Sequence, residues 1–130
     1  MIVLDASVVI SHLAGDVHSS QALDIIDTEE ELALHPLTLA ECLVGPARVG
    51  REAEAVRIIE TLGIATVPVT DQQPLALARL RAETSLRLPG CCVLAAALET
   101  GASLATFDVT RAGGRPNAES SSFRRVRAYR

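Results

Sequence analysis

Lysine and tryptophan are absent from this 130-residue chain, and its aromatic side chains are limited to Phe107, Phe123 and Tyr129. So few aromatics leave no platform on which nucleobases could stack in series. Only three cysteines occur, and Cys91 and Cys92 are adjacent, so neither an even disulfide framework nor a CxxC redox motif can be drawn. Cys42, Cys91 and Cys92 are therefore expected to be small buried hydrophobes. No apolar run reaches the roughly 18 residues of a bilayer crossing, because Asp5 and His12 interrupt the first candidate and Glu99 closes the longest later one. The start of the chain has no basic stretch followed by an apolar segment and a small-residue cleavage site, so a soluble, cytoplasmic protein with no membrane partner is expected.

What remains is the composition of one globular domain, with 48% hydrophobic and 22% charged residues and no linker or internal repeat. The net charge of -4 conceals a segregation. Residues 1 to 108 carry fifteen acids against six arginines, whereas residues 109 to 130 carry six arginines against Glu119 alone. An acidic body with an Arg-rich end suits local contact with phosphate, and it equally suits a solvated tail.

Patterning predicts alternating strands and helices. Ile2-Val3-Leu4 reads as a short buried strand that stops at Asp5, followed by an apolar helix to Leu13 with Ser7 as its cap and Gly15-Asp16 as its break. A second helix is expected over Ser20 to Thr28, a strand over Leu32 to His35, and a helix from Pro36 that Gly45-Pro46 bends or ends. Ala55, Ile58, Ile59 and Leu62 mark one face of a helix over Arg51 to Leu62, closed by Gly63. Ile64 to Val69 has strand composition, and Asp71 is expected to cap a helix facing the core through Leu75, Ala78, Ala82 and Leu86. A further helix runs from Pro89 to Thr100 with Gly101 as its stop, a strand from Ser103 to Phe107 ends at Asp108, and a last strand lies around Phe123 to Tyr129. Residues 109–122 read as a loop of uncertain order. The whole is an α/β fold: one domain over residues 1–130, with a central parallel sheet of four to five strands and helices on both faces.

Ligands of such sheets bind beyond the carboxyl ends of the strands, where Asp5 and Asp108 both fall. If their strands are neighbours the two carboxylates face one crevice, although Asp is also an ordinary turn and cap residue. Glu41 is harder to account for structurally. Between His35 and Ala47 it is the only charged residue, on a helix that is apolar on nearly every side. A carboxylate withdrawn from water needs compensation, either from an arginine such as Arg48 or from a metal ion. Three oxygen ligands without clustered His or Cys would suit a hard cation, Mg2+ or Mn2+, able to activate water against a phosphodiester. His12, His18 and His35 are scattered and are not read as ligands.

Four segments together resemble the PIN-domain ribonucleases, specifically toxins of the VapC type. They are Ile2-Val3-Leu4-Asp5-Ala6-Ser7, Thr38-Leu39-Ala40-Glu41, the stretch from Leu88-Pro89 through Cys91-Cys92-Val93-Leu94-Ala95-Ala96, and Ala105-Thr106-Phe107-Asp108. The resemblance spans residues 1 to about 108 and implies an α/β/α domain whose acids hold Mg2+ or Mn2+ for cleavage of RNA. It makes Asp5, Glu41 and Asp108 the metal ligands, and Ser7 and Thr106 the hydroxyls that orient them. It implies an RNA substrate, a cognate VapB-like antitoxin and a homodimer as partners. The departure is at position 90, where the family pattern reads Leu-Pro-Asp and this chain reads Leu88-Pro89-Gly90. One acid of four is missing, so impaired catalysis is expected. The alternative is an inactive PIN-like protein that binds RNA or antitoxin. The tail departs as well, so Arg111, Arg124, Arg125 and Arg127 are only candidates for RNA contact. A haloacid-dehalogenase-like phosphatase is disfavoured because Ser7 stands where its second acid belongs, and a receiver domain because it requires a lysine.

Overall fold

The computed structural model describes residues 1–108 and the backbone of residues 124–127. Four short parallel strands, β1 (Ile2–Leu4), β2 (Leu32–Leu34), β3 (Ile64–Thr66) and β4 (Ser103–Thr106), form a sheet that β5 (Arg124–Arg127) joins in antiparallel sense beside β4. The spatial order is β3-β2-β1-β4-β5. The chain steps outward from β1 to β3 and then returns to the other side of β1, which makes the carboxyl ends of β1 and β4 a topological switch point. The expected final strand is thus present over part of its range, and the loop expected over 109–122 lies outside the described residues.

Continuous apolar strands are needed because helices cover both faces of the sheet. Ile2 and Leu4 enter one core with Val8, Val9, Ile25, Cys42 and Ile59, from α1 (Ala6–Ala14), α2 (Ser19–Ile26), α3 (Pro36–Arg48) and α4 (Glu52–Thr61). Val3, pointing the opposite way, enters a second core with Val93, Ala96 and Leu104, beneath α6 (Leu88–Thr100). Cys42, Cys91 and Cys92 are free and buried, as expected.

Three local expectations are corrected. Ser7 is not a helix cap: Asp5 occupies that position in extended conformation, and Ser7 lies in the first turn of α1. Pro46 does not end α3, which continues to Arg48. Its missing N–H falls in the last turn, where its own carbonyl accepts from the Val49 and Arg51 N–H groups and closes the helix end. Asp71 does not cap α5 (Gln73–Glu83), which begins after Gln72.

The predicted face of α5 is also wrong. Leu75 is 51% exposed and Ala78 and Ala82 are exposed; Leu86, beyond the helix end, is buried as expected, but within α5 the buried residue is Gln73. Gln73 Oε1 meets His35 Nε2 at 2.6 Å, while His35 Nδ1 accepts from the Leu37 N–H at 3.0 Å. These bonds fix the tautomer, since a ring nitrogen that accepts leaves the other to carry the proton. Stranding the buried His35 would cost about 1–3 kcal/mol, comparable to the roughly 1.5–3 kcal/mol for fully burying a leucine. The polar pair therefore sets the rotation of α5.

Leu75→Gln should change stability by less than about 0.5 kcal/mol, whereas Leu104→Ala should cost about 2–5 kcal/mol. Urea denaturation midpoints of the two variants will show whether α5 faces the way these bonds require.

Candidate active site at the carboxyl edge of the sheet

Parallel pairing of Val3 with Leu104 and of Leu4 with Ala105 carries Asp5 to the level of Thr106 on the neighbouring strand. The Asp5 N–H extends the ladder by donating to the Ala105 carbonyl at 2.9 Å. The Asp5 side chain is completely buried and makes no capping bond to α1. Instead its Oδ2 accepts from Ser7 Oγ at 2.9 Å and from Thr106 Oγ1 at 2.7 Å. The two hydroxyls accept in turn, Ser7 Oγ from the Phe107 N–H at 3.1 Å and Thr106 Oγ1 from the Asp108 N–H at 2.8 Å. Two short chains of bonds thus run from the backbone after β4 to one buried carboxylate. Each hydroxyl is polarised by the N–H behind it, which strengthens its bond to the anion.

Glu41 lies on α3, near enough to bear on the same place. Its Oε1 is buried, and the buried thiol of Cys42 beside it is pushed up to about 12 by burial first, then by the charges of Glu41 and Asp5. The Cys92 thiol on α6 is raised as well, by burial, then by Cys91 and Glu41. One thiol feels both acids and another, two residues from Gly90, feels Glu41. The negative potential therefore extends from β1 through α3 to α6. Asp108 is half-buried and enters the arrangement through its backbone N–H. Ser7 and Thr106 hold the first carboxylate, and Arg48 stands exposed in the last turn of α3.

Gly90 is buried in the first turn of α6, whose N-cap is Arg87 and whose first turn contains no acid. It is an interior residue of the helix, as the expected run from Pro89 implies. Among the described residues no three His, Cys, Asp or Glu side chains stand together as a group able to hold a metal ion. The donor chemistry suits a hard cation, but the acids present do not by themselves fit one.

Two features escaped the sequence. His35, Gln73 and Glu99 form a relay, with Gln73 Nε2 donating to Glu99 Oε2 at 3.5 Å, and the His35-Pro36 helix start was its only local sign. Thr38, in the first turn of α3, is fully buried and its Oγ1 has no hydrogen-bond partner.

Residues 2–110 match the model of the family described as PIN domain. No curated protein matches the chain. Among solved structures, a chain of "Toxin-antitoxin complex from Klebsiella pneumoniae" is similar with a TM-score of 0.73 at 22% identity, covering 89% of this chain and 93% of that one.

Thr106→Val removes a donor to the buried Asp5 carboxylate and the acceptor of the Asp108 N–H, and should lower stability by about 1.5–3 kcal/mol; Thr106→Ser should retain most of it in chemical denaturation. The raised Cys42 thiol gives a pH dependence of known sign. Its ordinary value is 9.0 and its folded value about 12, so the stability it contributes is complete below pH 9 and is lost as pH rises towards 12, where only the unfolded chain ionises. Cys42→Ala should flatten the fall in unfolding free energy between pH 9 and 11; an unchanged slope would refute the assignment.

Proposed function

The chain belongs to the PIN domain family, and from that premise we propose that it is the toxin component of a type II toxin–antitoxin pair of the VapC kind, built on an Mg2+- or Mn2+-dependent endoribonuclease scaffold. The observation that carries this is the buried Asp5 carboxylate, fully withdrawn from water yet making no cap, and held by Ser7 and Thr106 at the switch point of the sheet. Desolvating a carboxylate is expensive. A protein that needed only a turn at this point would serve as well with a neutral residue.

Asp5, Glu41 and Asp108 are the acids assigned to the metal, and Ser7 and Thr106 the hydroxyls that orient them. When bound, a hard divalent ion would supply charge neutralisation and an activated water at a phosphodiester of RNA. Position 90 is the fourth acid's place, so Gly90 leaves the set incomplete and activity impaired. The absence of any three-acid group among the described residues supports that impairment. It equally favours a second reading, an inactive PIN-like protein that binds RNA or antitoxin.

The expected partners are RNA, a VapB-like antitoxin and a second copy of the chain, with the cytoplasm as the expected site of action. Similarity to a chain of the Klebsiella pneumoniae toxin-antitoxin complex supports the antitoxin. For self-association there is exposed apolar surface at Leu23, Val44, Val49 and Ile58, the last two lining a groove of about 280 Å³ between the end of α3 and α4.

RNA cleavage by the chain as it stands should be feeble with either Mg2+ or Mn2+. Gly90→Asp should raise the rate by more than the roughly 10- to 100-fold lost when a mere outer-sphere partner is removed. Equal rates for both forms, with RNA or antitoxin binding intact, would transfer the conclusion to the non-catalytic reading.

A further inference from the structure

Two irregularities lie on a pair of helices that pack against each other. The first is Thr38, whose side chain is fully buried on α3 and whose Oγ1 has no hydrogen-bond partner. A buried helical threonine ordinarily bonds back to the carbonyl four residues earlier. Here that residue is Leu34, which lies in β2 before the N-cap His35, so the usual intrahelical acceptor is not provided. The second is Gly90, buried inside the first turn of α6, where glycine is a poor helix former and where an acid would be favoured by the helix dipole.

Topology brings the two towards the same place. Thr38 and Gly90 each stand three residues after the N-cap of their helix, His35 and Arg87 respectively. α3 starts at the carboxyl end of β2, so its first turn lies at the edge that carries Asp5. α6 leads directly into β4 and runs back along it. At 13 residues it is roughly 20 Å long, against roughly 13 Å for the four-residue strand, so its first turns overhang that same edge. α3 and α6 pack against each other. Thr38, Glu41 and Cys42 share one stripe of α3 by their spacing, and the charge of Glu41 is felt at Cys92, two residues beyond Gly90.

We propose that Thr38 is a positioning residue for an acid at position 90: its buried hydroxyl is the donor that such a carboxylate takes, and the chain retains the donor while lacking the acceptor. This rests on the assignment of position 90 to the acidic set made above. It adds that a donor for the missing acid is still in place. An unsatisfied hydroxyl at zero exposure is destabilising, so its persistence is accounted for if its partner is the group that the glycine removed.

A double-mutant cycle tests this without RNA or metal. Thermal unfolding is measured at pH 7 for the chain, Thr38→Val, Gly90→Asp and the double variant. Thr38→Val alone should leave the midpoint unchanged or raise it slightly, because it removes an unpaired hydroxyl. Gly90→Asp should be tolerated beside Thr38 and should lower the midpoint by roughly 5 to 10 °C more when Thr38→Val is also present. Thr38→Ser should preserve this coupling, which a purely space-filling role for the methyl group would not. Equal costs in the two backgrounds overturn the proposal, as does a sharp loss from Thr38→Val alone, which would mean the hydroxyl is already engaged. If Gly90→Asp does not fold, Gly90→Asn takes its place, since its side-chain carbonyl also accepts, with a smaller coupling of the same sign expected and none overturning the pairing. Coupling without RNA cleavage by Gly90→Asp keeps the Thr38 pairing and removes the nuclease assignment; cleavage without coupling does the reverse.

Discussion

A single carboxylate taken wholly out of water organises this molecule. Asp5 ends the central strand β1 and is held through Oδ2 by two hydroxyls, one from α1 and one from β4, a neighbouring strand about a hundred residues further along the chain. Leaving such an anion unpaired would cost several kcal/mol, so the register of β1 against β4 and the first turn of α1 must be right at once. The backbone N–H groups of Phe107 and Asp108 lock the hydroxyls in turn. The same bonds that stabilise the joint between the two strands therefore fix the chemistry presented at the edge of the sheet.

The potential set up by Asp5 and Glu41 governs what can stand nearby. Cys42 and Cys92 are held as protonated thiols, so they act as apolar filler and not as nucleophiles or soft-metal ligands. Charge of the opposite sign is kept at the other end of the chain. β5 pairs with β4 so that Arg124 stands in register with Thr106, which brings the backbone of the Arg-rich segment to the switch point. The segregation visible along the sequence is thus partly closed along the backbone, where the Arg-rich strand pairs with β4.

Much of this is legible in the residues alone. Three-residue apolar runs bounded by Asp or His-Pro give away β1, β2 and α3, because buried parallel strands leave no alternation to confuse the pattern and Pro36 can only begin a helix. Asp5, Ser7, Glu41, Thr106 and Asp108 stand out by strand ends, by an isolated charge on an apolar helix and by a family resemblance. What escapes is set by contacts between distant polar groups. The apolar residues of α5 cover two sides, so no hydrophobic stripe can choose between Leu75 and Gln73, and the choice is made by His35, 38 residues away. Ser7 has the composition of a cap, but its hydroxyl is claimed by a tertiary partner. No local rule marks Thr38 as unsatisfied, since that depends on what the surrounding elements place against the first turn of α3.

If position 90 belongs to the acidic set as proposed, its glycine trades completeness of the site against the fold. On that reading the glycine avoids a further negative charge in a region where Cys92 already feels Glu41, which opposes the roughly 1 kcal/mol that glycine costs a helix relative to alanine. On the pairing proposed above an acid at this position would have one buried hydroxyl to hold it, whereas Asp5 has two, from α1 and from β4, each locked by a backbone N–H.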